Sequence, residues 1–159
     1  MIQRIQSVYL LLIIVISAVM LFVPIMNYEL INKPDHHYVH YYTYHIVHEY
    51  GNEELMSDTK VYPNYYILIL DGLTGLVSFL TIFLFKNRKH QIKHCWFIII
   101  LLLLMLLLFF VVNGLLLMAF NIHYSLGAYL PIASILLCFL AKRAIRKDDE
   151  LVHSADRLR

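Results

Sequence analysis

The sequence predicts an all-α membrane protein: a four-helix bundle with four transmembrane helices, a short β-hairpin in the loop between the first two, and an amphipathic C-terminal helix. Three observations lead there. Of 159 residues, 60% are hydrophobic and only 15% charged, whereas an ordinary soluble domain carries about 25% charged residues. The apolar residues gather in four long runs, near 8–26, 65–85, 95–120 and 124–141, and a helix needs about 20 mostly apolar residues to cross the hydrocarbon. Between them no stretch is long enough for a separate water-soluble core, so residues 1–159 read as one membrane domain.

The first run, Val8 to Met26, is too long for the apolar part of a signal peptide, and MLFVPIMNYEL offers no small-x-small cleavage site, so a retained helix is expected. Lipid leaves backbone polar groups no partner but the backbone itself, which makes each span helical.

The loop over 27–64 contains HHYVHYYTYHIVHEY, residues 36–50. Read as one strand, it places His36, Tyr38, His40, Tyr42, Tyr44, Ile46 and His48 on one face. As a helix it would gather His37, His40, Tyr41, Tyr44 and His48. Its Tyr, Val, Thr and Ile favour the strand, with Gly51-Asn52 turning toward Lys60 to Tyr62. His37, His40 and His48 are candidate metal ligands, with Glu49 a further donor. Zinc needs three or four converging donors, and the segment has neither a cysteine nor an HExxH motif, so no metal and no cofactor is expected. Amphipathic Tyr and His rings suit the membrane-water boundary instead.

The second run, Tyr65 to Phe85, holds the one acid inside a span, Asp71, about seven residues or roughly 10 Å from its outer end at 1.5 Å per residue. A central Asp costs about 2.5 to 3.5 kcal/mol on the insertion scale, while each Leu, Ile, Phe or Val returns about 0.3 to 0.6, so the helix still inserts. The acid needs a partner, and Asn113 of the third run lies at a similar depth: an intramembrane pair, Asp71 with Asn113, is expected. Thr74, Gly75 and Ser78 form a small-residue stripe with Thr81 on one side of this helix; Gly127, Ser134 and Cys138 form another, with Pro131 and Ala141, on the fourth. Small residues let helices approach closely in lipid, so both stripes are expected to be packing faces.

Charge sets the orientation. KNRKHQIKH, residues 86–94, carries Lys86, Arg88, Lys89 and Lys93 without an acid, and the tail from Lys142 has six basic residues against four acids. Residues 28–64 hold only Lys33 and Lys60 beside six acids, and NIHYSLG carries no Lys or Arg. Cytoplasmic segments keep their Lys and Arg, so both termini are expected in the cytoplasm. Cys95 and Cys138 fall near the cytoplasmic ends of their helices, where thiols stay reduced.

In AKRAIRKDDELVHSADRLR, Ala144, Ile145, Leu151, Val152, Ala155 and Leu158 share one arc of an amphipathic helix. It either lies on the membrane or docks a partner; Leu151, Val152, Ala155, Asp156, Arg157 and Leu158 are the candidate partner-binding residues.

MIQRIQSVYLLL, FLFKNRKHQIKHC and YLPIASILLCFLAKRAIRKDDELVHSADRLR together resemble the small Bacteroidota membrane family catalogued as domain of unknown function 4293. The resemblance implies a protein of the bacterial inner membrane, so the outer loop and its hairpin would be periplasmic. It implies no activity and brings no catalytic residues.

The residues themselves offer no nucleophile with a base, no phosphate-cradling glycine loop and no paired acids or thiols. The expectation is a non-enzymatic accessory or scaffold protein whose partners are the lipid bilayer and another membrane or cytoplasmic protein reached through the C-terminal helix, with oligomers allowed and no role for nucleic acid. The alternatives are a periplasmic metal-binding or sensing protein using the His-rich loop, and a small transporter or proton-linked protein centred on Asp71.

Overall fold

The computed structural model describes residues 5–30, 36–52, 55–84, 87–116 and 120–157; at 30, 36–37, 50–52, 55–58, 112–116, 120 and 152–157 it describes the backbone alone. The elements run α1 (Ile5–Met20), β1 (Met26–Leu30), β2 (His36–Tyr41), β3 (His45–Asn52), β4 (Leu55–Pro63), α2 (Tyr65–Phe83), α3 (Arg88–Leu116), β5 (Phe120–Tyr124) and α4 (Leu126–Arg157).

The fold is α+β, not all-α. Among the described residues, four helices carry a five-stranded antiparallel sheet in the order β4-β3-β2-β1-β5. The expected hairpin is part of something larger. Residues 26–63 supply four strands, and the short connection between α3 and α4, expected only to join two spans, supplies the fifth by pairing with β1 from Met26↔Tyr124 to Leu30↔Phe120. The third run therefore ends as helix at Leu116, and Phe120 already lies in a strand.

The expectation of four transmembrane helices is corrected as well. Among the described residues three helical segments are long and apolar enough to cross a membrane, Tyr65–Phe83, Arg88–Val111 and Leu126–Leu151. The first run splits: its helix stops at Met20, the chain turns through 21–25, and Met26 opens β1. At about 1.5 Å per residue, the 16 residues of α1 fall short of a hydrocarbon layer about 30 Å thick.

Each helix packs against two others, α1 on α2 and α4, α3 on α2 and α4, closing a ring in which sequence neighbours run antiparallel. The buried positions step by fours and threes, the spacing of an interhelical seam: Gln6, Leu10, Ile13, Ser17 and Met20 on α1, and Ile67, Asp71, Thr74, Ser78 and Thr81 on α2. Leu10, Ile13, Cys95, Ile98, Leu102, Cys138, Ala141 and Ile145 form one apolar cluster inside the ring.

The sheet caps the end where α1 and α3 finish and α2 and α4 begin. Alternation in β1 and β2 turns Met26, Tyr28 and Val39 inward, where they meet Met20, Ile67, Met105 and Phe109 in a second cluster. Each fully buried Met or Val there is worth about 1.5–3 kcal/mol if water covers it otherwise. The β2–β3 turn is pinned to the helices. Thr43 Oγ1 donates to the Met20 carbonyl at 2.6 Å, and Asn64, just before α2, donates through Nδ2 to the Tyr42 carbonyl at 3.1 Å and through its backbone N to the Tyr44 carbonyl at 2.9 Å. The opposite end holds the N-terminus of α1, the short α2–α3 link and the far end of α4.

Candidate functional site: a polar column inside the ring

Asp71 sits on the inward side of α2 and is 3% exposed. Its partner comes from α1: Ser17 Oγ donates to Asp71 Oδ1 at 2.9 Å and also lies 3.2 Å from the Asp71 backbone carbonyl. The side chain of Asn113, the expected partner, lies outside the described residues. Gly75 gives α1 the room to approach, since a Cβ there would stand 3.2 Å from Ser17 Oγ.

From Asp71 the polar side chains continue down α2. Thr74, Ser78 and Thr81 are buried, and each returns its hydroxyl proton to the carbonyl one turn back: Thr74 to Leu70 at 2.8 Å, Ser78 to Thr74 at 2.8 Å, Thr81 to Val77 at 2.6 Å. That local bond satisfies the hydroxyl donor without water. Gln91 of α3, fully buried, donates through Nε2 to the Thr81 carbonyl at 3.0 Å and ties α3 to α2. The Oε1 atoms of Gln91 and of buried Gln6 meet no hydrogen-bond partner among the described residues.

The small residues of α4 serve two contacts. Ser134 and Cys138 are buried on its inner side, and the Cys138 thiol donates to the Cys95 carbonyl at 3.2 Å. Gly127 meets the link out of α1: its N–H donates to the Pro24 carbonyl at 3.1 Å, and a Cβ there would lie 2.6 Å from the same oxygen. At the other end, Arg88 reaches Asp148 at 3.1 Å and Asp149 at 3.5 Å, bracing α4 where it runs on past the ring. Leu151 is exposed on that extension; the side chains of Val152, Ala155, Asp156 and Arg157, and the whole of Leu158, lie outside the described residues.

The histidines of 36–50 are divided by the β2–β3 turn. His40 is on the outer face, its Nδ1 2.9 Å from Asn27 Oδ1 and its Nε2 3.8 Å from Glu49. His45 stacks on Tyr42 with ring centroids 4.6 Å apart. His48 follows Ile46 on the inner face and meets the Tyr62 ring edge-on. The His37 side chain lies outside the described residues, among which no three His, Cys, Asp or Glu side chains are grouped to hold a metal.

Sequence reasoning placed Asp71, Thr74, Gly75 and Ser78 on one helical side but did not anticipate Ser17, Gln6, Gln91, Thr43 or Asn64. For the first two a signal exists: Gln6, Leu10, Ile13, Ser17 and Met20 repeat at steps of four and three, which marks Gln6 and Ser17 as inward despite their polarity.

No curated protein matches the chain. The model of the family described as "Domain of unknown function (DUF4293)" matches residues 2–158, almost the whole length, and the chain belongs to that family.

Proposed function

We infer that this is a non-catalytic scaffold or accessory protein of the bacterial inner membrane. In this reading the helices form a four-helix bundle in which α2, α3 and α4 cross the membrane, the sheet stands in the periplasm, and the α2–α3 link, the C-terminus and the extension of α4 are cytoplasmic. The observation that carries it is where the polar groups go. Inside the ring, Ser17, Asp71, Thr74, Ser78, Thr81 and Gln91 use their hydrogen bonds to hold backbone and helices together. Outside, Leu11, Leu76, Leu103, Leu107 and Phe110 are exposed, a surface that lipid covers and water does not. The charge division supports the orientation, since the strands and their links over 28–64 carry six acids and two basic residues, while 86–94 carries four basic residues and no acid.

The partner surface is the last part of α4. Its test is a chain ending at Glu150, which keeps Ile145 and the Arg88 brace to Asp148 and Asp149. Proteins that co-purify with the full chain in mild detergent should be lost from this shortened form while its membrane content is unchanged; an unaltered set of co-purifying proteins rejects the tail as the docking element.

A second reading, proton-linked activity at Asp71, is favoured by one fact: a carboxyl group 3% exposed inside a helix long and apolar enough to cross a membrane. Asp71→Asn keeps the Ser17 bond and removes titration, whereas Asp71→Leu removes both. Loss of function in both variants supports the relay; loss only with Leu supports packing.

A further inference from the structure

At the end of the ring that carries the α2–α3 link, the rim between α3 and α4 holds a lysine whose stem is packed away between the helices. Lys142 lays its Nζ 3.6 Å from the centroid of the Trp96 ring, with the Phe139 ring 6.0 Å away. The residue is only 8% exposed, and among the described residues no carboxylate lies within ion-pair distance of it, whereas neighbouring Arg88 is held by two. An aromatic face attracts a cation but leaves its charge in place.

The surroundings of Lys142 differ above and below. Toward the aqueous end, Arg146 follows one turn later on the same side of α4, and Lys89 stands two turns from Trp96 on α3, both exposed. In the other direction Trp96 leads into an outward apolar track along α3, with Leu103 52% and Leu107 56% exposed. A free phosphate would gain nothing from that track. A molecule joining a phosphate to a hydrocarbon chain uses both parts.

We propose that this rim seats one anionic phospholipid, its phosphate between Lys142 and Arg146 and an acyl chain beside Trp96, Leu103 and Leu107. The proposal rests on the membrane reading above and adds a ligand class and a place to it.

Trp96 is the one tryptophan of the chain and reports the site directly. The full chain is placed in phosphatidylcholine nanodiscs containing a small fraction of lipid with brominated chains, either phosphatidylglycerol or phosphatidylcholine, and quenching of Trp96 is compared. Brominated phosphatidylglycerol should occupy the site more strongly, by a factor of about five, what one basic side chain contributes beside an anionic surface. Lys142→Gln should abolish the excess, Lys142→Arg should keep it, and Lys147→Gln, an equal loss of charge on another side of α4, should leave it nearly intact. Added inorganic phosphate should not compete.

Equal quenching by the two lipids overturns the proposal, as does an excess that survives Lys142→Gln or falls equally with Lys147→Gln. Competition by inorganic phosphate overturns it in favour of a free-anion site. If neither brominated lipid quenches Trp96, the membrane reading fails with it; quenching by both equally leaves that reading standing and removes only the lipid seat.

Discussion

Two glycines show how much a single Cβ decides here. At Gly127 an added methyl group would stand 2.6 Å from the Pro24 carbonyl oxygen and 3.0 Å from Ile25 Cα, both backbone atoms that cannot rotate away. Gly127→Ala must push α4 off the link between α1 and β1, at a cost of about 1–3 kcal/mol typical of overpacking. Gly72 sits on the exposed side of α2, and a methyl group added there would meet nothing within 4 Å among the described residues. At that position Ala replaces the poorest non-proline helix former with the best, a gain of about 0.8–1.0 kcal/mol on scales measured in water. Thermal unfolding in one detergent should therefore order the proteins Gly72→Ala, wild type, Gly127→Ala from most to least stable. A Gly127→Ala protein as stable as wild type contradicts the close approach of α4 to Pro24.

The sheet depends at the element scale on one short turn. Thr43 is fully buried, and its hydroxyl satisfies the carbonyl of Met20, which ends α1 and has no later helical N–H to accept from. Thr43→Val preserves shape and strands that oxygen, at about 1–3 kcal/mol. Faster amide exchange across β2 and β3, with the middle of α3 unchanged, is the expected result; unchanged exchange in the sheet would falsify the latch. Tyr28 supplies a second check on the cap. Burial, reinforced by the phenols of Tyr41 and Tyr124, pushes its pKa above the ordinary value, and burial raises Tyr41 likewise. The folded state thus keeps a proton that the unfolded chain loses near pH 10. The stabilisation is complete below that pH and declines as the pH climbs from there toward the folded pKa. Subtracting the alkaline absorbance titration of Tyr28→Phe from that of wild type should leave a phenol ionising above the ordinary tyrosine range. The same turn explains why the sheet is only partly legible in the sequence. Pairing of Ile46–His48 with Lys60–Tyr62 follows from strand propensity and is present, while Gly51-Asn52, expected to turn, is still strand and pairs with Met56 and Leu55. The break at Tyr42–Tyr44 is hidden, because Tyr and His serve either face equally well and the alternation of residue types continues straight through it. The turn reverses the pattern, so Tyr38 and His40 face outward while Ile46 and His48 face inward. β5 is hidden for another reason: Phe120 to Tyr124 becomes a strand through tertiary pairing with β1, which local propensity does not contain.

Across the whole molecule, the fold and the charges divide along the same axis. The ring joins α1 to α2 and α3 to α4 through the sheet at one end and α2 to α3 at the other. An acid-rich region is thereby separated from a basic one by the length of the helices, and the inward-facing polar column lies between them. Helices with inward polar and outward apolar residues suit a lipid surround, and the proposed membrane reading puts the two ends on opposite sides of a bilayer. Single cysteines can establish which side each occupies. Thr59, exposed on β4, and Asn87, exposed in the α2–α3 link, are suitable positions, and the native thiols Cys95 and Cys138 are both fully buried. In spheroplasts, a membrane-impermeant maleimide should label Thr59→Cys at once and Asn87→Cys only after lysis. The reverse order would invert the protein and place the basic link outside, against the retention of Lys and Arg on the cytoplasmic side. Labelling of both before lysis would mean that no membrane separates the two ends, and the outward apolar surface would then need a protein partner to cover it.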